Sequence, residues 1–266
     1  MNKYVAISDE VPNDASKKIK SGGLLFDRKV TRIITPGTLI DEHFMDPLVN
    51  NYLLSIHVDF KSLKPRIPSE NSSVVGKHAS VLNLPKTEVG LAWLDLSSGD
   101  FLTQSTDIAS LPSAIARIGP REIILDRVFK DQEDSRLISM LREDGHIIAF
   151  QDPLGEQLTV ADWVPMLEDV IEDFNTTNFT AGEVAAGGSL LHYVKTQLQG
   201  SRARLQAPIR HQAEDFMSID KNSLRALEIR TTIRDSKFEG SLLHALKKTA
   251  TNSGTRLLTQ RLCKLQ

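Results

Sequence analysis

Three aspartates have the types and spacing that could do chemistry: Asp95, Asp100 and Asp126. Asp95 closes an apolar run, Asp100 ends the turn Ser98-Gly99-Asp100, and Asp126 closes Ile123-Ile124-Leu125. Carboxylates on neighbouring strands can hold two metal ions ~4 Å apart and activate water against a phosphodiester. On that reading the chain is a metal-dependent nuclease. The competing reading is structural, because aspartates are common at turns and strand ends, where they accept hydrogen bonds from nearby backbone. A third and fourth carboxylate at matching depth have no evident place in the sequence, which favours the structural reading.

Other catalytic patterns are missing from the 266 residues. The Gly-Lys pair Gly76-Lys77 is followed by His78 and lacks the upstream glycine of a Walker A loop; G-x-G-x-x-G and H-E-x-x-H do not occur. Gly187-Gly188-Ser189 could admit a phosphate at a helix start, but the surrounding alanines and leucines point to close packing. The single cysteine, Cys263, excludes an internal disulfide and a cysteine-based zinc site, and it reads as a small apolar residue. Trp93, on the same face as Asp95, reads as core.

The elements that must position these residues alternate. A strand is expected at 3–8, a polar loop at 12–23, and a strand at 30–35 ended by Pro36-Gly37. Tyr52–Val58 is a short apolar run, and 61–86 reads as a flexible insertion. A hairpin follows, with strands at 89–97 and 101–105. Ile108, Leu111, Ile115 and Ile118 keep helical spacing, with Ser110 as N-cap and Gly119-Pro120 as stop. A strand at 121–126, a charged helix at 130–144 and a strand at 146–150 complete a mixed α/β sheet with flanking helices, built in the RNase H-like manner. Residues 157–178 read as a polar, acidic helix.

From residue 184 the period is helical throughout. One helix carries Leu190, Leu191, Val194 and Leu198 and is expected to stop at Gly200; a second, capped by Asp220 or Asn222, runs through Leu224, Leu227, Ile229 and Ile233 with apolar residues on two sides. Leu242, Leu243, Ala245 and Leu246 stripe a third, and Leu257, Leu258 and Leu262 a last one that reaches Gln266 with no terminator. An all-α region with open stripes needs further partners, so the chain reads as part of something longer, and the last stripe favours self-association.

Charge divides the chain in the same way. Lys plus Arg against Asp plus Glu is 7 to 4 over 1–37, 11 to 24 over 38–183 and 14 to 6 over 184–266. The middle is therefore −13 and the C-terminal part +8, within a net charge of −2. This suggests a boundary near 183 and a basic part able to meet nucleic acid weakly. No apolar run approaches the ~20 residues of a membrane span. The first residues carry two acids and no arginine, unlike a transit peptide.

Three segments together resemble the MutS family of DNA mismatch-repair proteins, and most nearly fungal mitochondrial homologues. They are Arg28-Lys-Val-Thr-Arg-Ile-Ile-Thr-Pro-Gly-Thr38, Gly90-Leu-Ala-Trp-Leu-Asp-Leu-Ser-Ser-Gly-Asp-Phe101, and Leu224-Arg-Ala-Leu-Glu-Ile229 continuing through Gly240-Ser-Leu-Leu-His244 to Gly254-Thr-Arg-Leu-Leu258. Ala185–Tyr193 is similar to the helix that leads into the family's core. The resemblance implies a remnant of the mismatch-binding domain at 1–37, an RNase H-like connector domain without catalytic acids at 38–183, and the start of an all-α core, or lever, domain at 184–266. It implies a structural relay, not a catalyst. A MutL-like protein would bind the connector, a MutS-like protomer would complete a dimer, and location would be mitochondrial, with nucleus and cytoplasm open. The family's Phe-x-Glu wedge is absent; Phe238-Glu239 lacks the spacer. ATP and magnesium belong to the family's ATPase, whose Walker motifs this sequence lacks, so the chain is expected to need no cofactor and to be truncated at both ends. A free-standing interaction module is a third reading.

Overall fold

The computed structural model describes residues 4–11, 27–40, 44–46, 48–58, 87–130, 136–152, 154, 163–164, 167, 178–199, 203–212, 217 and 219–263. The expected loop at 12–23, the insertion at 61–86 and most of the polar helix at 157–178 lie outside them.

β1 (Val5–Val11) and β2 (Asp27–Ile34) form an antiparallel ribbon with a register shift between Ile7 and Ser8. The main sheet has six strands: β3 (Leu53–Val58), β4 (Glu88–Asp95), β5 (Asp100–Asp107), β6 (Glu122–Asp126), β7 (Ile147–Gln151) and β8 (Ile209–His211). Their order is β7-β6-β3-β4-β5-β8. The pairs β3–β4 and β4–β5 are antiparallel; β3–β6, β6–β7 and β5–β8 are parallel.

The central strands are apolar at nearly every position because both faces are covered. Leu54, Ile56, Val58, Leu91, Trp93, Ile123 and Leu125 pack with α1 (Leu111–Ile118) and α2 (Arg136–Glu143). The alternate residues Leu53, Ala92, Leu94 and Ile124 pack with α3 (Ala181–Leu198) on the opposite face. α3 lies very close to β4. A Cβ built on Gly90 would fall 2.1 Å from the carbonyl of Gly182, so glycine at both positions sets the separation of helix and sheet. Gly187 packs directly on Trp163, as the alanine-rich surroundings suggested.

Several helix ends differ from expectation. Ser110 sits at the N-cap of α1 but makes no side-chain cap bond; its own N–H donates to Asp107 Oδ1 at 2.7 Å, and Ile108 lies outside the helix. α3 ends at Leu198 with Gln199 as its C-cap, in the left-handed region at φ 48°; the expected stop at Gly200 lies outside the described residues. Its start is a capping box of Thr180 and Glu183. The buried Glu183 carboxylate also accepts from Arg210 Nε at 3.0 Å, which holds β8 to the sheet.

The expected all-helical stretch from 184 is therefore corrected, since β8 interrupts it and extends the sheet. The helix expected through Ile233 is corrected too. α4 (Lys221–Ala226), capped by Asp220 as expected, stops after six residues. Glu228 takes φ 47°, its carbonyl accepts from Leu242 N, and its carboxylate accepts from Ile233 N at 2.6 Å. The chain thus folds back where a longer helix would have continued. α5 (Leu242–Leu246) and α6 (Asn252–Cys263) follow. α6 buries Thr255, Thr259 and Cys263, while Leu257 is 50% exposed.

Candidate functional site

The three sequence-derived aspartates do not converge. Asp95 follows Leu94, which pairs with Leu53 at the start of β3; Asp126 lies two residues past Ile124, which pairs with Ser55. Extending both ladders separates them by about five residues, or roughly 15 Å along the strands, with β3 between them. Asp95 and Asp100 are direct cross-strand partners, but their carboxylates serve different turns. Asp100 Oδ2 accepts from Ser98 Oγ at 2.8 Å, and Asp126 Oδ1 caps the turn that follows it, accepting from Val128 N at 2.9 Å. Among the described residues no group of three or more His, Cys, Asp or Glu is placed to hold a metal ion. The nuclease arrangement is not formed.

Asp95 instead organises one end of the sheet. It is fully buried, and its two oxygens accept four hydrogen bonds. Oδ2 takes Asn51 N at 3.0 Å and Asn50 Nδ2 at 3.1 Å; Oδ1 takes Ser97 N at 2.9 Å and Ser97 Oγ at 2.6 Å. A buried carboxylate is tolerated when its lone pairs are filled in this way. The same groups then reach α6. Arg256 Nη1 donates to Ser97 Oγ at 3.1 Å, and Gln260 Nε2 donates to Asn50 Oδ1 at 3.3 Å and to Tyr52 Oη at 2.6 Å. Burial, then the fields of Asp100 and Asp95, push the Tyr52 phenol well above its ordinary range.

A second buried carboxylate, Glu122, sits at the same end, opposite Leu53 on the other side of β3. Its Oε2 accepts from Thr35 Oγ1 at 2.5 Å and Gly37 N at 2.8 Å, directly after β2. Its Oε1 accepts from Tyr193 of α3 at 2.7 Å and, at 3.4 Å, from Tyr4 at the entry to β1. Burial, reinforced by Glu122, raises both phenols, Tyr4 to about 12 and Tyr193 further. Asn51 joins the two nodes: its Nδ2 donates to Pro36 O at 3.0 Å while its N–H donates to Asp95. An unbroken bonded path therefore runs Pro36, Asn51, Asp95, Ser97, Arg256, from the ribbon to α6. Sequence reasoning missed Glu122, Asn50, Asn51, Arg256 and Gln260. Only Glu122 carried a signal, as an acid opening an apolar strand.

Such an arrangement fixes the relative positions of elements. The class it defines is an α/β domain that couples a preceding segment to a following helix through buried carboxylates. Residues 79–206 match the family model of MutS domain II. The chain is 30% identical over 263 residues to the DNA mismatch repair protein MutS of Wolbachia pipientis wMel, a match that covers 97% of this chain and 27% of the relative. It is 29% identical over 254 residues to MutS of Anaplasma phagocytophilum strain HZ, covering 96% and 28%, and 30% identical over 262 residues to MutS of Rhizobium meliloti strain 1021, covering 97% and 26%. The chain spans about a quarter of the length of these relatives. The similarity to these MutS proteins extends over nearly the whole of this chain.

Proposed function

We propose that the chain serves DNA mismatch repair as the connector and the opening of the helical core of a MutS-type protein, relaying conformational state without chemistry of its own. The observation that carries this reading is the bonded path from Pro36 to Arg256, in a chain whose residues 79–206 match MutS domain II. Apart from the local Asp95–Ser97 bonds, each link on that path joins groups from different elements, which is what a rigid coupling element requires.

The RNase H-like assignment is supported by the order β5-β4-β3-β6-β7, in which a three-stranded antiparallel unit is extended by two parallel strands. The connector boundary proposed at 183 is better placed after β8, because α3 runs through residue 183 and packs on the sheet. The helical lever then begins near Asp220. A MutL-like protein on the connector, a second MutS-like protomer, and weak DNA contact through the basic residues of 184–266 are the proposed partners. Mitochondrial location is proposed on resemblance to fungal homologues alone; imaging of the tagged protein in its own cells tests it.

The reading is tested with the purified chain, by anisotropy on matched and mismatched duplexes. Equal, weak binding that falls by a factor of ~10 or more between ~50 and ~200 mM salt is expected, with no ATP hydrolysis above a buffer blank. Preference for the mismatch, salt-independent affinity or turnover of ATP would reject it.

A further inference from the structure

A cavity of about 370 Å³ lies between the Asp95 end of the sheet, the C-terminal end of α1 and the helical segment. This is within the size range of small-ligand sites. Its lining is unbalanced in charge. Arg117 and Arg121, around the end of α1, and Arg230 line it, and Asp46 is the one carboxylate among the lining residues. Aromatic walls are present on two sides, Tyr52 on the sheet and Phe238 on the helical segment.

The arginines are gathered by construction. Arg230 Nη2 donates to the carbonyl of Arg117 at 2.7 Å, and the guanidinium lies against Gly119, where a Cβ would come within 2.2 Å of Nη1. Gly119, at φ 66°, is thus the residue that lets Arg230 approach. The Arg117 guanidinium is itself held, since its Nη2 donates to Gln104 on β5, so Arg230 and Arg121 are the lining cations left to meet a ligand. Guanidinium groups lining a partly apolar cavity suit an oxyanion on a flat ring.

We propose that this cavity binds a small phosphate ester, with the phosphate on Arg230 and Arg121 and the attached ring between Tyr52 and Phe238. The proposal is independent of the mismatch-repair reading. A ligand there touches both the sheet and the helical segment, so it clamps one to the other.

The experiment is thermal unfolding and calorimetric titration of the 266-residue chain with inorganic phosphate, AMP and adenosine, at constant ionic strength in chloride. At ten times the Kd of the tighter phosphate compound, Tm is expected to rise by about 3 °C or more. The rise is expected to be lost in Arg230→Gln and reduced in Arg121→Gln. Arg230 also caps α1, so a purely structural role would lower Tm without ligand and leave the phosphate-dependent rise intact; Arg121 is exposed, and its variant is expected to fold normally. AMP binding more tightly than phosphate assigns the ring to the aromatic walls, and equal binding assigns the site to the oxyanion alone. No rise with either compound, an equal rise in both variants, or a rise with adenosine alone would overturn the proposal.

Discussion

At the scale of the residue, the buried Asp95 carboxylate does different work from that its sequence context suggested. Asp95 holds four donors, so Asp95→Asn converts acceptors to a donor and leaves buried N–H groups unmatched. A loss of about 2–4 kcal/mol in urea unfolding is expected, against a change within about 0.5 kcal/mol for Asp100→Asn, whose carboxylate serves only its own turn. Equal effects at the two positions would contradict the geometry. The tyrosines give a pH test. All three phenols, Tyr4, Tyr52 and Tyr193, titrate above the ordinary value of 10.0 in the folded chain. Their contribution is therefore complete below pH 10 and is lost as pH rises through the folded values, from about 12 for Tyr4. Ultraviolet titration is expected to show little phenolate at pH 10; half-ionised tyrosine at that pH would refute the packing around Glu122. The aspartates were legible in the sequence as residues but not as roles, because one strand-ending acid looks like another until its donors are known. Glu122 was missed since its partners, Thr35, Gly37 and Tyr193, lie about 70 or more positions away in the chain.

At the scale of the element, strands were easier to read than late helices. Turn signals such as Pro36-Gly37 and Ser98-Gly99 bounded β2, β4 and β5, and the apolar run of β4 was legible because both of its faces are covered. The last helices carry leucine stripes that suggest a buried leucine face. In α6 the buried face is Thr255, Thr259 and Cys263, whose hydroxyls bond within the local turn, to Thr249, Thr251 and Thr255. Periodicity reports a face but not which neighbour covers it. Gly90 gives a sharp test of the α3–β4 contact. Gly90→Ala would put a Cβ into the backbone of Gly182, and a loss of about 1–3 kcal/mol or more is expected in chemical denaturation. Gly145→Ala, which meets nothing within 4 Å but sits at φ 76°, is expected to cost about 1–2 kcal/mol through backbone strain alone. A neutral Gly90→Ala would mean that helix and strand are further apart.

At the scale of the whole molecule, charge and exposed leucine set how the chain meets others. Leu227, Leu242, Leu246 and Leu257 are each at least 40% exposed on the helical segment. Exposed apolar side chains of this size favour association, so sedimentation is expected to show concentration-dependent self-association that Leu257→Lys weakens without loss of stability. A monodisperse wild-type chain at high concentration would contradict this. The division of charge along the sequence suggested different partners for its parts, but the path joining them was invisible, because its asparagine, aspartate, serine, arginine and backbone groups have no periodicity to detect. That path carries the central claim, and hydrogen exchange tests it most directly. In Asp95→Asn, the amides of α6 are expected to lose protection together with those around Pro36 and Asn51, while those of α2 keep theirs. Unchanged protection in α6, or a uniform loss across the whole sheet, would show that Asp95 supports the fold without coupling its ends.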